Sequence, residues 1–128
     1  MQFTNAIFAI AAAAGLVAAA PLEAQSMTGD LTFYTPGLGA CGVTNGEGDA
    51  VVALGHALFD QFTPGTNPNL NTLCGKQLQI TSGGVSVVVT VEDRCVACDE
   101  FDLDVPVAIF SEFADPGVGR IQVTWDWL

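Results

Sequence analysis

Basic residues are scarce in this sequence of 128 residues, which has 3 lysines and arginines against 14 acids and a formal net charge of -11 at pH 7. A protein that binds nucleic acid or an anionic membrane surface needs clustered cations to neutralise phosphates. The composition therefore excludes both classes of partner. A chain of this length is sufficient for one domain.

Long apolar runs are absent after the first 20 residues, so no later segment could cross a membrane. Residues 1–19 are uncharged and apolar and end in Val17-Ala18-Ala19, a small-x-small pattern typical of signal-peptide cleavage. Because the segment begins without Lys or Arg, a membrane anchor is the alternative. We expect a secreted, extracellular monomer with a flexible lead-in at residues 20–28 and one domain at residues 29–128.

The sequence has no cofactor motif, and its close cysteine pair lacks the second close pair that a zinc site would offer, so we expect no cofactor and no metal. The acids between positions 99 and 104 do not have the spacing of an EF-hand loop. Four cysteines in a secreted chain predict two disulfides, for which three connectivities are open. The cysteines are Cys41, Cys74, Cys95 and Cys98. Oxidised cysteines and a lone His56 leave Cys/His and Ser/His/Asp catalysis unsupported.

Short segments of alternating apolar and polar residues, separated by glycine-rich turns, predict a small closed β-barrel with one or two short helices. The predicted strands are residues 29–35, 49–54, 77–81, a strand from Val85, and 121–128; the predicted helical segments are residues 56–60 and 105–113. Ser82-Gly83-Gly84 is expected to form a hairpin turn, and residues 63–73 an ordered surface loop. On the last strand we expect both tryptophans to pack in the core, with Trp127 partly exposed.

Asp93 stands out within the most regular strand. The apolar residues Val85 to Val91 alternate with period two, and Asp93 falls on the same parity as the core valines. An acid at such a position indicates a site, with a partly buried carboxylate able to donate a proton or a hydrogen bond. The alternative is a structural acid that accepts backbone N–H groups at a barrel corner or pairs with Arg94.

Five segments, in order along nearly the whole mature chain, resemble one known family. They are GDLTFYTPGLGACG, NPNLNTLCGKQLQI, VVVTVEDRCVAC, DLDVPVAIF and GRIQVTW. They are similar to fungal secreted proteins with a double-psi β-barrel, the rare-lipoprotein-A-like or barwin-like group to which expansins and loosenins are related. The resemblance implies an all-β, six-stranded double-psi barrel. It also favours the disulfides Cys41–Cys74 and Cys95–Cys98, since related expansins link the cysteine of Ala-Cys-Gly to that of the later Cys-Gly.

The resemblance also implies a polysaccharide groove across the barrel. Three polar positions of expansins correspond to Thr32, Asp93 and Asp104, and Tyr34 corresponds to a common groove aromatic. Asp93 and Asp104 are therefore the candidate catalytic acids. The related hydrolases carry a catalytic base just after the first-strand aromatic, where this sequence has Thr35. An inverting glycosidase needs both an acid and a base, so we expect no ordinary hydrolysis, although the sequence leaves enzymatic activity open.

Two acids before the predicted helix at residues 105–113 have competing interpretations. Asp104 is either a groove acid or the N-cap of that helix, because Asp is a good N-cap residue. Asp102 is expected to be a solvated charge.

Three classes of function remain open on the sequence. The leading hypothesis is a secreted expansin-like or loosenin-like protein that binds cell-wall polysaccharide, such as cellulose or chitin, and loosens it without net hydrolysis. The second is a lytic transglycosylase-like or weak glycoside-cleaving enzyme that uses Asp104 or Asp93. The third is a protein-binding effector or protease inhibitor whose contact surface is formed by loops 36–48 and 63–73.

Overall fold

The computed structural model describes residues 25–128, so the predicted signal peptide and most of the predicted lead-in lie outside the described residues. Six strands close into a barrel in the order β1-β5-β2-β4-β3-β6, which confirms the predicted all-β, six-stranded double-psi barrel. The strands are β1 (Met27–Tyr34), β2 (Val51–Gly55), β3 (Gln77–Ser82), β4 (Val85–Cys95), β5 (Leu103–Pro106) and β6 (Ile121–Trp127). The first strand begins two residues before the strand predicted from residue 29.

Two single helical turns accompany the barrel. Helix α1 (His56–Phe59) directly follows β2, as predicted, and α2 (Val107–Phe110) directly follows β5. Short 3-10 turns lie at Asp60–Phe62, Pro68–Leu70 and Pro116–Val118.

The barrel core is formed by the inward positions of the alternating strands. Leu78, Ile80, Val89 and Val91 are fully buried, as their period-two spacing predicts. Trp125 is also fully buried and its indole N–H donates to the carbonyl oxygen of Phe101 at 2.9 Å, while Trp127 is partly exposed. The predicted core position is therefore confirmed for Trp125, whereas Trp127 lies at the surface and is 36 % exposed.

The turn between β3 and β4 is a two-residue hairpin. Gly83 and Gly84 have φ values of 56° and 82°. A type I′ turn needs positive φ at both central residues, which glycine adopts without steric cost. The hairpin fixes the register of Leu78 opposite Val89.

The segment before α2 corrects the sequence prediction. Residues 105–113 were expected to be helical, whereas Leu103–Pro106 form strand β5 and only Val107–Phe110 are α-helical. Leu103 and Val105 are both fully buried, and Pro106 has an extended backbone with ψ of 154°. Strand β5 lies between β1 and β2, which provide its backbone hydrogen-bond partners. Pairing with two neighbours therefore outweighs the local preference for helix.

Candidate functional site

Four residues from four neighbouring strands form a continuous line across the barrel, which we call the polar row. Thr32 of β1 pairs with Asp104 of β5, Asp104 pairs with Ala53 of β2, and Ala53 pairs with Asp93 of β4. Directly paired residues project on the same face of a sheet. The next pairs along the strands contain Leu31, Leu54 and Leu103, which are fully buried, so the polar row lies on the opposite face of the sheet from the core. On that face Ala53 is only 2 % exposed, because Tyr34 and the Cys95–Cys98 pair pack with it. Three inter-strand steps of roughly 4.8 Å give the row a length of about 14 Å.

A β-bulge brings Asp93 into the polar row. Val52 pairs with Val91, but Ala53 pairs with Asp93, so Glu92 is an extra residue in β4. A bulge of this kind reverses the side-chain parity of the residues that follow it. Asp93 therefore does not continue the buried face of Val89 and Val91, as simple alternation would predict, but joins the outward face.

The carboxylate of Asp93 accepts three hydrogen bonds. Its Oδ2 accepts from the hydroxyl of Tyr34 at 3.0 Å. Its Oδ1 accepts from the backbone N–H of Ala40 at 2.9 Å and of Arg94 at 2.8 Å. Burial and the nearby Asp93 carboxylate raise the pKa of Tyr34, so this phenol stays protonated and remains a donor. These contacts match the structural alternative for Asp93, namely an acid that accepts backbone N–H groups at a barrel corner.

Arg94 does not form an ion pair with Asp93. Its side chain is bidentate to Asp60, with Nε to Oδ1 and Nη2 to Oδ2 both at 2.7 Å. The hydrogen bonds from Arg94 hold the pKa of Asp60 below its usual value. The guanidinium of Arg94, the residue after Asp93, is therefore paired with Asp60 and not with Asp93.

Asp104 has one carboxylate oxygen that no donor among the described residues occupies. The hydroxyl of Thr32 donates to its Oδ1 at 3.0 Å. Its Oδ2 lies 3.8 Å from the Sγ of Cys95, but that sulfur is in a disulfide and has no proton to donate. Burial is the main reason that the pKa of Asp104 is raised, and the charge of Asp93 raises it further. A half-buried carboxylate with an open oxygen can accept a hydrogen bond from a ligand or, when protonated, donate one.

The helix-cap alternative for Asp104 is wrong. The N-cap position of α2 is Pro106, and no side chain caps this helix. Asp104 lies within strand β5, where its side chain projects onto the row.

The expectation that Asp102 is a solvated charge is also wrong. Its Oδ1 accepts the backbone N–H of Asp30 at 2.9 Å, and its Oδ2 accepts that of Asp99 at 3.1 Å. Asp102 thus fastens the turn before β5 to strand β1.

Both disulfides have the connectivity implied by the resemblance. Cys41 is bonded to Cys74, and Cys95 to Cys98. The sulfur atoms of Cys95 and Cys98 lie within 4.8 Å of a carboxylate oxygen of Asp104, a grouping that could hold a metal if the sulfurs were thiolates. Since both sulfurs are oxidised, neither can act as a thiolate ligand.

Two loops beside the polar row are held together as one rigid surface, which we call the loop pair (residues 36–48 and 63–74). The Cys41–Cys74 disulfide links the loops, and Nδ2 of Asn69 donates to the carbonyl oxygen of Ala40 at 2.7 Å. Asp93 fixes Ala40 from the other side. The buried Asn71 orders the second loop through three side-chain hydrogen bonds of 2.7 to 2.8 Å.

The loop pair exposes large apolar side chains. Leu38 is 76 % exposed, Leu70 is 61 % exposed and Val43 is 42 % exposed. Exposed apolar side chains on two linked loops are compatible with a protein-binding surface. Sequence reasoning placed the loops but missed the roles of Asn69, whose contact with Ala40 spans 29 residues, and of Asn71, whose partners lie 2 to 12 residues away.

Two cavities lie outside the polar row. A cavity of about 410 Å³ is lined by Thr63, Thr66 and the Arg94–Asp60 pair, among others. A smaller cavity of about 220 Å³ lies beside Trp127 and Lys76. No residue of the polar row is among those that line either cavity.

Within residues 25–128, the structure contains no helix with the length and apolar character needed to span a membrane.

Comparisons with known proteins agree with the barrel. No protein-family model matches the chain. The papain inhibitor of Streptomyces mobaraensis is 35 % identical over 93 % of this chain and 87 % of the inhibitor. A solved Streptomyces papain inhibitor superposes with a TM-score of 0.72 at 33 % identity, covering 82 % of this chain and 96 % of the inhibitor. The chain belongs to the barwin-like and expansin-like group of double-psi β-barrel proteins.

Other relatives of this double-psi barrel protein extend the group. A homolog of the allergen Asp f 7 from Arthroderma benhamiae is 43 % identical over 79 % of this chain, which spans only 38 % of that relative's length. An expansin of Clavibacter michiganensis, solved in complex with cellohexaose, has a TM-score of 0.66 at 20 % identity, covering 81 % of this chain and 50 % of the expansin. At that identity, the likeness to expansin is evidence for the fold.

Proposed function

We propose that this double-psi barrel protein is secreted and binds a β-linked cell-wall polysaccharide along the polar row, loosening it without net hydrolysis. The observation that carries the proposal is the open Oδ2 of Asp104, placed in an outward line with Thr32 and Asp93. A carboxylate oxygen without a protein donor is a ready acceptor for a sugar hydroxyl, and hydrogen bonds to charged groups contribute roughly 1.5–3 kcal/mol each. The expansin fold relative was solved with cellohexaose, and two disulfides suit an oxidising extracellular compartment.

We expect no net hydrolysis because the second carboxylate is engaged by the protein. Asp93 already accepts hydrogen bonds from Tyr34, Ala40 and Arg94 and so is not positioned as a free base. Thr35, at the position where related hydrolases carry a base, has no carboxylate. With one available acid and no free base, the row can hold a sugar chain but lacks the second group that inverting hydrolysis needs.

The test is a pull-down of the purified protein on insoluble cellulose, chitin and xylan, with soluble hexamers as competitors. We expect Asp104→Asn to weaken binding by about tenfold, equivalent to roughly 1.4 kcal/mol. Glu112→Gln is the matched control, because it makes the same charge change at an exposed residue outside the row. Failure to bind every glycan would refute the proposal. New reducing ends or anhydro-sugars, lost in Asp104→Asn, would instead support a glycoside-cleaving enzyme.

A second candidate function, protease inhibition, is favoured by a different observation. A relative that matches 93 % of this chain is a papain inhibitor, and the loop pair presents the exposed apolar residues Leu38, Val43 and Leu70. A preformed loop loses little conformational entropy when it enters a protease cleft. The contact would be made by the loop pair and not by the open face of the polar row.

Titration against papain tests this second candidate. We expect Leu38→Asp or Val43→Asp to weaken inhibition about tenfold or more, since truncated interface anchors commonly cost more than about 1 kcal/mol. Asp104→Asn should leave inhibition unchanged. Absence of inhibition at micromolar protein, about 1 µM or above, would exclude the function, because inhibitors of this type bind more tightly than that.

A further inference from the structure

No basic side chain is bonded to either acid of the polar row, although the charge of Arg120 acts on Asp104 as the smallest of four influences on its pKa. The chain has 3 lysines and arginines. Arg94 is bidentate to Asp60, and Arg120 is paired with Asp30 at 3.0 Å. The third base, Lys76, lies beside the separate cavity at Trp127. Asp93 and Asp104 therefore face outward on the row without a basic side chain bonded to either.

The available oxygen on the row also favours a charged donor. Oδ2 of Asp104 has no protein donor, and its neighbour on that side is the sulfur of a disulfide. Burial and the charge of Asp93 disfavour the ionised form of Asp104. An ammonium group at this oxygen would form a charge-assisted hydrogen bond, which is about twice as strong as a neutral one. A sugar hydroxyl would satisfy the same oxygen without neutralising its charge.

We propose that the polysaccharide preferred by the row is cationic: a β-linked amino-sugar polymer with free amines, one ammonium of which binds Oδ2 of Asp104. This inference rests on the proposed polysaccharide-binding function and specifies its substrate class. The net charge of -11 draws a polycation toward the protein and repels uronic-acid polymers. The carboxylates of Asp93 and Asp104 then bind the attracted polycation at one position on the surface.

The experiment is calorimetric titration with three β-1,4-linked hexamers: glucosamine, N-acetylglucosamine and glucose. It is run at low and high salt, at a pH where the sugar amines are protonated. We expect the glucosamine hexamer to bind about tenfold or more tightly than either neutral hexamer at low salt, and the preference to shrink at high salt. Asp104→Asn should remove most of the preference, whereas the matched Glu112→Gln should retain it.

The outcomes separate this inference from the proposed function. Equal affinity for all three hexamers would overturn the cationic preference and leave polysaccharide binding in place. No binding to any hexamer would refute both. A preference for glucosamine that Asp104→Asn and Glu112→Gln reduce equally would mean that the ammonium is attracted by the overall charge, and the assignment to Asp104 would be wrong.

Discussion

Replacing Asp93 by alanine should destabilise the barrel through the three donors that this carboxylate satisfies. The donors are the Tyr34 hydroxyl at 3.0 Å, the Ala40 N–H at 2.9 Å and the Arg94 N–H at 2.8 Å. Hydrogen bonds to charged groups contribute roughly 1.5–3 kcal/mol each. All three donors lie on half-buried residues, so water replaces part of each bond in the variant. The contributions of one shared acceptor are also not additive, and we expect a total loss of about 3 kcal/mol.

The assay is urea denaturation, read with amide hydrogen exchange. Asp93→Ala should lower the free energy of unfolding by about 3 kcal/mol without changing the m-value, because the folded barrel persists. Tyr34→Phe removes one of the three bonds and should cost about 1 kcal/mol. The amide of Ala40 should exchange faster in Asp93→Ala and retain its protection in Tyr34→Phe. Asp99→Ala, at an exposed residue of the same charge, is the control.

Two results would refute this reasoning. A loss below about 1 kcal/mol in Asp93→Ala would mean that the carboxylate contributes no more than a single ordinary hydrogen bond. Unchanged exchange at Ala40 would mean that the Cys41–Cys74 disulfide and Asn69 hold the first loop without Asp93.

Three further predictions follow from the same geometry. Because the pKa of Asp104 is raised in the folded state, the unfolded chain loses this proton first as pH rises from about 4, and the folded state is progressively disfavoured. In thermal melts, Asp104→Asn should therefore be more stable than the parent protein at neutral pH and equally stable below the usual aspartate pKa. A stability difference that does not change with pH would contradict this. The Arg94–Asp60 ion pair should contribute less than about 1 kcal/mol to stability, and this contribution should weaken in salt. Because the pKa of Asp60 is lowered in the folded state, the contribution is present above the usual aspartate pKa and is lost on acidification. A loss of stability in Asp60→Asn that does not depend on salt would argue against a screened ion pair. The double substitution Cys41→Ser with Cys74→Ser removes a disulfide that spans 33 residues and should cost about 4 kcal/mol of stability on the chain-entropy estimate. A cost below about 1 kcal/mol by urea denaturation would show that other contacts hold the loops.

The sequence predicted the parts of the barrel that depend on local pattern. Period-two alternation identified the inward residues of β3 and β4, and the paired glycines identified the hairpin between them. The second half of strand β5, Val105 and Pro106, was assigned to a helix because the strand has only four residues, too few to display a period. Its strand geometry is imposed by two flanking strands that come from distant parts of the chain.

The polar row shows a different limit of sequence reasoning. Asp93 was singled out because its parity matched that of the core valines, yet it faces outward because Glu92 forms a bulge. A bulge is a mismatch between two strands, so the sequence of β4 alone cannot reveal it. Thr32 and Asp104 were indicated by the family resemblance, and their adjacency depends on the parallel pairing of β1 with β5.

The contacts of Asp93 determine which variants can separate the two candidate functions. Its Oδ2 holds Tyr34 on the side of the polar row, and its Oδ1 holds Ala40 in the loop pair. A variant of Asp93 should therefore disturb both surfaces, and a loss of either activity in it would identify neither. Asp104 belongs to the polar row and its side chain bonds only Thr32 of the row, whereas Leu38 is exposed on the loop pair. Only opposite responses of Asp104→Asn and Leu38→Asp can assign glycan binding to one surface and protease binding to the other.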